Sequence, residues 1–176
     1  MVKADAYGHG AVQVARRLET LGAEYLAVAC LDEALELRQA GITTPILILG
    51  YTPVERTDSL LEGGITQTVY DVDMAKALSD AAMAAGKPLK IHVKADTGMS
   101  RPGWLCGEAY TMLQFTRFLD LLEALKDRGI TFAIRHCAAS AAALKFPCTH
   151  LDMVRPGIAL YGHYPDPSCE GLDGPG

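Results

Sequence analysis

Lys3 is where the chemistry of this chain starts. It lies in Val2-Lys3-Ala4-Asp5-Ala6-Tyr7-Gly8-His9-Gly10, where a short apolar entry gives way to small residues, one tyrosine, one histidine and two glycines. A lysine at the end of a strand, facing a glycine-rich loop that can approach a phosphate, is what holds pyridoxal phosphate as a Schiff base. A lone lysine near a terminus is ordinarily only solvated. The weight of Lys3 therefore depends on the company it keeps. Further along, Lys94 with Asp96, then His136, then Arg155 each close an apolar run.

The elements that must position these residues alternate. Helical spacing runs over 11–21, with Val14, Leu18 and Leu21 on one face, and over 31–40. Further helices are expected over 53–61, from Asp71 to Ala85, from Gln114 to Lys126 and over 138–145. Between them lie short strand-like runs at 24–30, 45–50, 65–70, 89–95 and 132–137, those at 24–30 and 45–50 being apolar. They are too short for helices and carry no hairpin signal, so they are expected as strands buried on both faces. Residues 165–176 are rich in Pro, Gly, Asp and Ser without periodicity and are expected as a linker or tail.

Regular βα alternation means a parallel sheet covered by helices. No GxGxxG opens a helix, which removes the best support for a dinucleotide fold. Polar residues gather instead at the C-terminal ends of several strands, the distribution that a barrel mouth produces. The expectation is α/β, a (β/α)8 TIM-type barrel over 1–164. A complete barrel takes about 250 residues and eight strands, whereas about seven strand-like runs are present here, so the barrel is expected to be incomplete.

Composition excludes several classes. The 176 residues carry a net charge of -5 with no Lys/Arg run, so nucleic acid is not an expected partner. The five cysteines are odd in number and show no CxxC spacing, which argues against a zinc site or a disulfide framework. With no apolar h-region at the start and no run long enough for a bilayer, no membrane partner and a reducing cytoplasm are expected. His9, His92, His150 and His163 lack a second ligand at metal spacing, and Cys137 is expected to be a packing residue.

Four segments then belong together in order: Val2 to Gly10; His92-Val93-Lys94-Ala95-Asp96-Thr97-Gly98-Met99-Ser100-Arg101; Arg135-His136-Cys137-Ala138-Ala139-Ser140; and Asp152-Met153-Val154-Arg155-Pro156-Gly157-Ile158-Ala159-Leu160-Tyr161-Gly162. Taken together they closely resemble bacterial alanine racemase, a fold-type III pyridoxal phosphate enzyme with a barrel and a C-terminal β-domain. The resemblance implies interconversion of L- and D-alanine for peptidoglycan precursors, by a homodimer. It implies that Lys3 carries the pyridoxal 5'-phosphate and serves as base on one face of the substrate. Tyr7, Ser140, Gly157 and Ile158 would hold the phosphate. Arg101 would bond the phenolic oxygen, and Arg155, supported by His136, would face the pyridine nitrogen.

A guanidinium opposite that nitrogen keeps it unprotonated, because arginine holds its proton at any ordinary pH. That tempers the ring as an electron sink and suits proton exchange. At Lys94 the resemblance implies a carbamylated lysine able to accept from Arg101. The other reading is an ammonium snorkelling into the barrel mouth.

Departures from the family pattern carry their own expectations. Racemisation needs a second acid/base, which the family takes from a tyrosine of the partner's β-domain, and none of Tyr51, Tyr70, Tyr161 or Tyr164 matches it. Between Arg101 and His136 one βα unit of roughly 30 residues is missing, and Ala139 stands where the family has an asparagine. The isolated chain is thus expected to be catalytically impaired, with an open sheet edge. Two other readings are a single-domain pyridoxal phosphate barrel that does not racemise, and a non-catalytic remnant.

Overall fold

The computed structural model describes residues 1–94, 108–127, 129, 131–165 and 167–170. The chain divides into two compact units, Met1–Lys94 and Ala95–Gly176.

In the first unit the expected alternation is present: α1 (Lys3–Gly8), α2 (Ala11–Thr20), β1 (Leu26–Val28), α3 (Leu31–Gln39), β2 (Ile46–Ile48), α4 (Thr57–Glu62), β3 (Ile65–Val69), α5 (Val72–Ala84) and β4 (Ile91–Val93). The four strands are all parallel and pair in chain order β1-β2-β3-β4. Consecutive parallel neighbours, each joined by a helix, are the wall of a (β/α) barrel, here a partial one. β1, β2 and β3 are buried along their whole length; for β1 and β2 this follows from unbroken apolar runs, whereas β3 also buries Thr66, Gln67 and Thr68. β4 differs, with Ile91 and Val93 exposed. Among the described residues β4 pairs only with β3.

Three polar devices tie this unit together. Gln67 of β3, fully buried, accepts from Thr52 Oγ1 at 2.6 Å and donates to Gly50 O and Thr68 O, both at 2.8 Å. The Arg38 guanidinium gathers the carbonyls of Gly63, Ile42 and Thr44 at 2.7–2.9 Å. Glu19 Oε1 accepts from the backbone and hydroxyl of both Thr43 and Thr44. At the end of β2, a Cβ on Gly50 would lie 2.5 Å from Ala29 O, so only glycine lets the β1 and β2 exits come this close.

α2 turns the expected face inward: Ala11 and Ala15 are buried and Val14 and Leu18, on the same side, are half-buried, while Leu21, just past the helix, is exposed.

The second unit contains α6 (Glu108–Lys126) and α7 (Ser140–Lys145). α6 begins at Glu108 rather than at the expected Gln114, and Phe118, Leu122 and Leu125 are half-buried. The expected strand over 132–137 is not a strand among the described residues. It is an extended segment tied to a second one, with Arg135 N donating to Asp152 Oδ2, Asp152 N donating to Arg135 O and Arg155 N donating to Ala138 O. The pairing reaches ladder geometry only at an isolated parallel bridge, Ala139 with Arg155. Side-chain oxygens replace ladder acceptors here, so propensity alone overstates the strand. Within 165–176, Pro167–Cys169 forms a 3-10 turn, Cys169 is buried and Lys145 Nζ donates to Ser168 Oγ.

Candidate active site

Lys3 and Tyr7 sit on α1, and α1 has an unusual hand. Ala4, Asp5, Ala6 and Tyr7 all have φ between +51° and +57°, so this is a single left-handed turn rather than a right-handed helix. For L-residues that hand costs about 1–2 kcal/mol per residue. It persists only where the surroundings over-determine it.

The restraints are local and specific. Val2 N–H donates to Ala27 O of β1 at 2.8 Å, so the residue before Lys3 is tied to that strand, and Val2 is fully buried. Asp5 Oδ1 accepts from Ala11 N at 2.7 Å, holding the start of α2, where a carboxylate suits the helix dipole. Glu33 Oε1 accepts from Ala4 N at 2.8 Å. His9 Nδ1 lies 2.9 Å from Ala6 O, and Gly8 and Gly10 take φ of +86° and +87° to leave the turn. Lys3 itself is half-buried, and among the described residues its ammonium has neither ion-pair nor hydrogen-bond partner. An amine so placed is available as a nucleophile or a base.

In the second unit Ser140, at the head of α7, is buried. Its Oγ accepts from Gly157 N at 2.8 Å and more weakly from Ala159 N at 3.5 Å. The hydroxyl proton has no acceptor among the described residues, which leaves it to donate to an anionic oxygen. Ile158, next to Gly157, is exposed. Arg155 donates through Nη2 to Cys137 O at 3.1 Å, and its Nε is buried without an acceptor among the described residues. Burial pushes the Arg155 guanidinium below its usual range and pushes the Cys137 thiol up. An arginine nitrogen buried and unclaimed is costly unless something supplies an acceptor. His136 is half-buried one residue before Cys137.

The expected site residues therefore fall into two groups. Lys3 and Tyr7 share the left-handed turn, whereas His136, Ser140, Arg155, Gly157 and Ile158 lie together around the Ala139–Arg155 bridge. Arg101 lies outside the described residues. Lys94, expected inside an apolar run, is exposed directly after β4, so the cost of burying its charge does not arise. His92 lies 5.8 Å from Tyr25 between ring centroids, and His150 Nε2 is 2.8 Å from Ala143 O, in keeping with structural roles. Among the described residues there is no group of three metal-ligating side chains, and no helix is long and apolar enough to cross a membrane.

Two functional contributions escape a sequence reading. Glu33 follows Cys30 at the spacing of a helix-capping acid, a local signal, yet its bond to Ala4 spans 29 residues. The pair Arg135–Asp152, at 2.7 and 2.9 Å, buttresses the segment that carries His136 and Arg155. It carries no local signal at all.

The family model described as alanine racemase, N-terminal domain, matches residues 1–112 and 105–165. Alanine racemase 1 of Oceanobacillus iheyensis is 43% identical over 197 aligned positions, covering 94% of this chain and 52% of that protein. The alanine racemase of Desulfovibrio desulfuricans is 44% identical, with coverage of 96% and 54%. Among solved structures, alanine racemase of Clostridium difficile 630 in complex with cycloserine superposes with a TM-score of 0.90 at 38% identity, over 98% of this chain and 57% of that one. That of the D-cycloserine producer Streptomyces lavendulae gives 0.89 at 33%, over 98% and 56%. The chain spans about half the length of the curated relatives it matches. Since 94% of 176 residues is about 165, roughly 30 of the 197 aligned positions have no counterpart here, the size of one βα unit.

Proposed function

This chain belongs to the alanine racemase N-terminal domain family, and from that membership we propose that it is the cofactor-holding part of an enzyme interconverting L- and D-alanine. The observation that carries the proposal is Lys3, half-buried, unclaimed by any described acceptor and held on a strained left-handed turn at the sheet edge. Lys3 would be the residue that carries pyridoxal 5'-phosphate. Ser140, through its uncommitted hydroxyl proton, holds the phosphate together with Tyr7, Gly157 and Ile158. Arg155 donates its buried Nε to the ring nitrogen, with His136 beside it. Arg101 would bond the phenolic oxygen; Lys94, being exposed, fits the reading as a solvated ammonium at the strand end as well as that of a carbamylated acceptor for Arg101. The residues fit the group: a buried nitrogen donor without an acceptor and a serine with a proton to give are what a heteroaromatic phosphate needs.

Bound there, the cofactor supplies the electron withdrawal that makes the α-proton of alanine removable. The Lys3 amine would hold or return that proton on one face. Arg155 keeps its own proton throughout, which limits charge accumulation on the ring and favours proton return over side reactions. The opposite face needs a second acid/base. The domain comprises 1–164, and the second base and the homodimer belong to the whole protein, in a cytoplasmic setting.

The test is a titration of the 176-residue chain with pyridoxal phosphate, followed by borohydride reduction and peptide mass mapping. The label is expected at Lys3 and is lost from that peptide in Lys3→Ala. Label spread over exposed lysines, with none at Lys3, overturns the proposal. In the same preparation, D-alanine formation is expected to be negligible; turnover at the rate of a full-length relative would show that the second base lies within this chain.

A further inference from the structure

Glu33 joins two segments far apart in sequence. Its Oε2 accepts from Ala29 N at 2.6 Å while its Oε1 accepts from Ala4 N at 2.8 Å. The first bond is ordinary for the beginning of a helix, since Glu33 lies in the first turn of α3 and reaches back to a backbone N–H just before it. The second has no such explanation. Helix α3 gains nothing from Ala4, yet the turn that contains Ala4 gains a charged acceptor at the point where its backbone enters the left-handed region.

The consequence for Lys3 is geometric. On one side of it, Val2 N–H is bonded to Ala27 O; on the other, Ala4 N–H is bonded to Glu33. Ala27 and Ala29 are alternate residues at the exit of β1, so the carboxylate continues, through a side chain, the pairing that Val2 begins. Lys3 is thereby pinned at both neighbours to a strand that is buried on both faces. Without the carboxylate, the left-handed run from Ala4 to Tyr7 loses one of the few contacts able to offset its strain.

We propose that Glu33 is a positioning residue for Lys3, holding the left-handed turn against the end of β1 so that the amine stays aimed at its cofactor. The role rests on the assignment of Lys3 as the cofactor lysine. Both Glu33 oxygens are taken by backbone amides, so its part is to position rather than to react.

The experiment compares the full chain with Glu33→Gln, which keeps one acceptor oxygen and replaces the other with a donor, and with Glu33→Ala, which loses both. Backbone amide exchange is followed at Ala4 and, as an internal reference, at Ile46–Ile48 of β2. After pyridoxal phosphate and borohydride, the label on Lys3 is divided by the label on all other lysines. Both variants are expected to speed exchange at Ala4 by about tenfold or more, the effect of losing one charge-assisted hydrogen bond, with β2 unchanged. The labelling ratio is expected to fall about tenfold in parallel. A purely structural helix cap would slow or speed labelling of every lysine alike and leave the ratio fixed.

Exchange at Ala4 that is unchanged, or accelerated equally at β2, overturns the proposal; so does a labelling ratio that stays at the wild-type value while Ala4 opens. Should the wild-type chain show no label at Lys3, the cofactor assignment is what fails. The exchange comparison then still decides whether Glu33 holds the turn.

Discussion

The Ser140 hydroxyl oxygen accepts from the Gly157 backbone N–H at 2.8 Å, both groups buried. This bond, with the adjacent Ala139–Arg155 bridge, ties the head of α7 to the loop that follows Arg155. Ser140→Ala removes the acceptor without adding bulk, and leaves a buried amide unsatisfied. We expect a stability loss of about 1–3 kcal/mol, measured as a lower urea midpoint by circular dichroism. A midpoint equal to wild type would show that the Gly157 amide has another acceptor.

Ala4 offers a test of the left-handed turn. Its φ is +51° and it is exposed, so replacing it with glycine loses no packing. Glycine removes a conformational cost of about 1–2 kcal/mol and adds about 0.5–1 kcal/mol of unfolded-chain freedom. Ala4→Gly is therefore expected to be neutral or stabilising by up to about 1.5 kcal/mol, the reverse of the same change in a right-handed helix. Denaturant midpoints of the two chains decide it. A clear loss of stability would mean that the backbone there is right-handed.

Much of this framework is legible in the residues. The runs at 26–28 and 46–48 are short and apolar, as parallel strands covered on both faces ordinarily are. Lys3 and Arg155 stand out through the chemistry of the segments that hold them. What stays hidden is non-local. The hand of α1 cannot be inferred from Ala-Asp-Ala-Tyr, since alanine favours the opposite helix and the turn is held by contacts from Glu33, Asp5 and Val2. The Arg135–Asp152 pair is hidden for the same reason, because a charged pair 17 residues apart leaves no periodic trace.

Acid should loosen both units through carboxylates that the fold keeps ionised. Glu19 is held at about 2 by hydrogen bonds from Thr44 and Thr43, and Asp152 is held at about 2 by Arg135. Each folded-state value lies below the unfolded one, so the unfolded chain binds more protons in acid. The stabilisation is fully present above pH of about 4.5 and is lost as pH falls towards 2. Both groups are solvent-accessible, which keeps the effect modest. Urea midpoints between pH 2 and 7 are expected to fall less steeply in Glu19→Gln and in Asp152→Asn than in wild type. Curves parallel to wild type would show that neither carboxylate gains from its partners.

Gln67 should respond to pH with the opposite sign when it is made acidic. Its amide nitrogen donates to Gly50 O and Thr68 O, and its carbonyl accepts from Thr52 Oγ1, all in the fully buried centre of β3. Gln67→Leu leaves these partners unsatisfied at about 1–3 kcal/mol for each group that water cannot reach, so a large loss of stability is expected. Gln67→Glu keeps the shape but points a carboxylate oxygen at two carbonyls, which favours the protonated acid and raises its folded-state value above the unfolded one. Its stability is therefore greatest in acid, below the unfolded carboxyl value, and is lost as pH rises through the folded one. Urea midpoints of Gln67→Glu that rise with pH, as those of wild type do in the acid range, would mean that the carboxylate has turned out of the sheet to water.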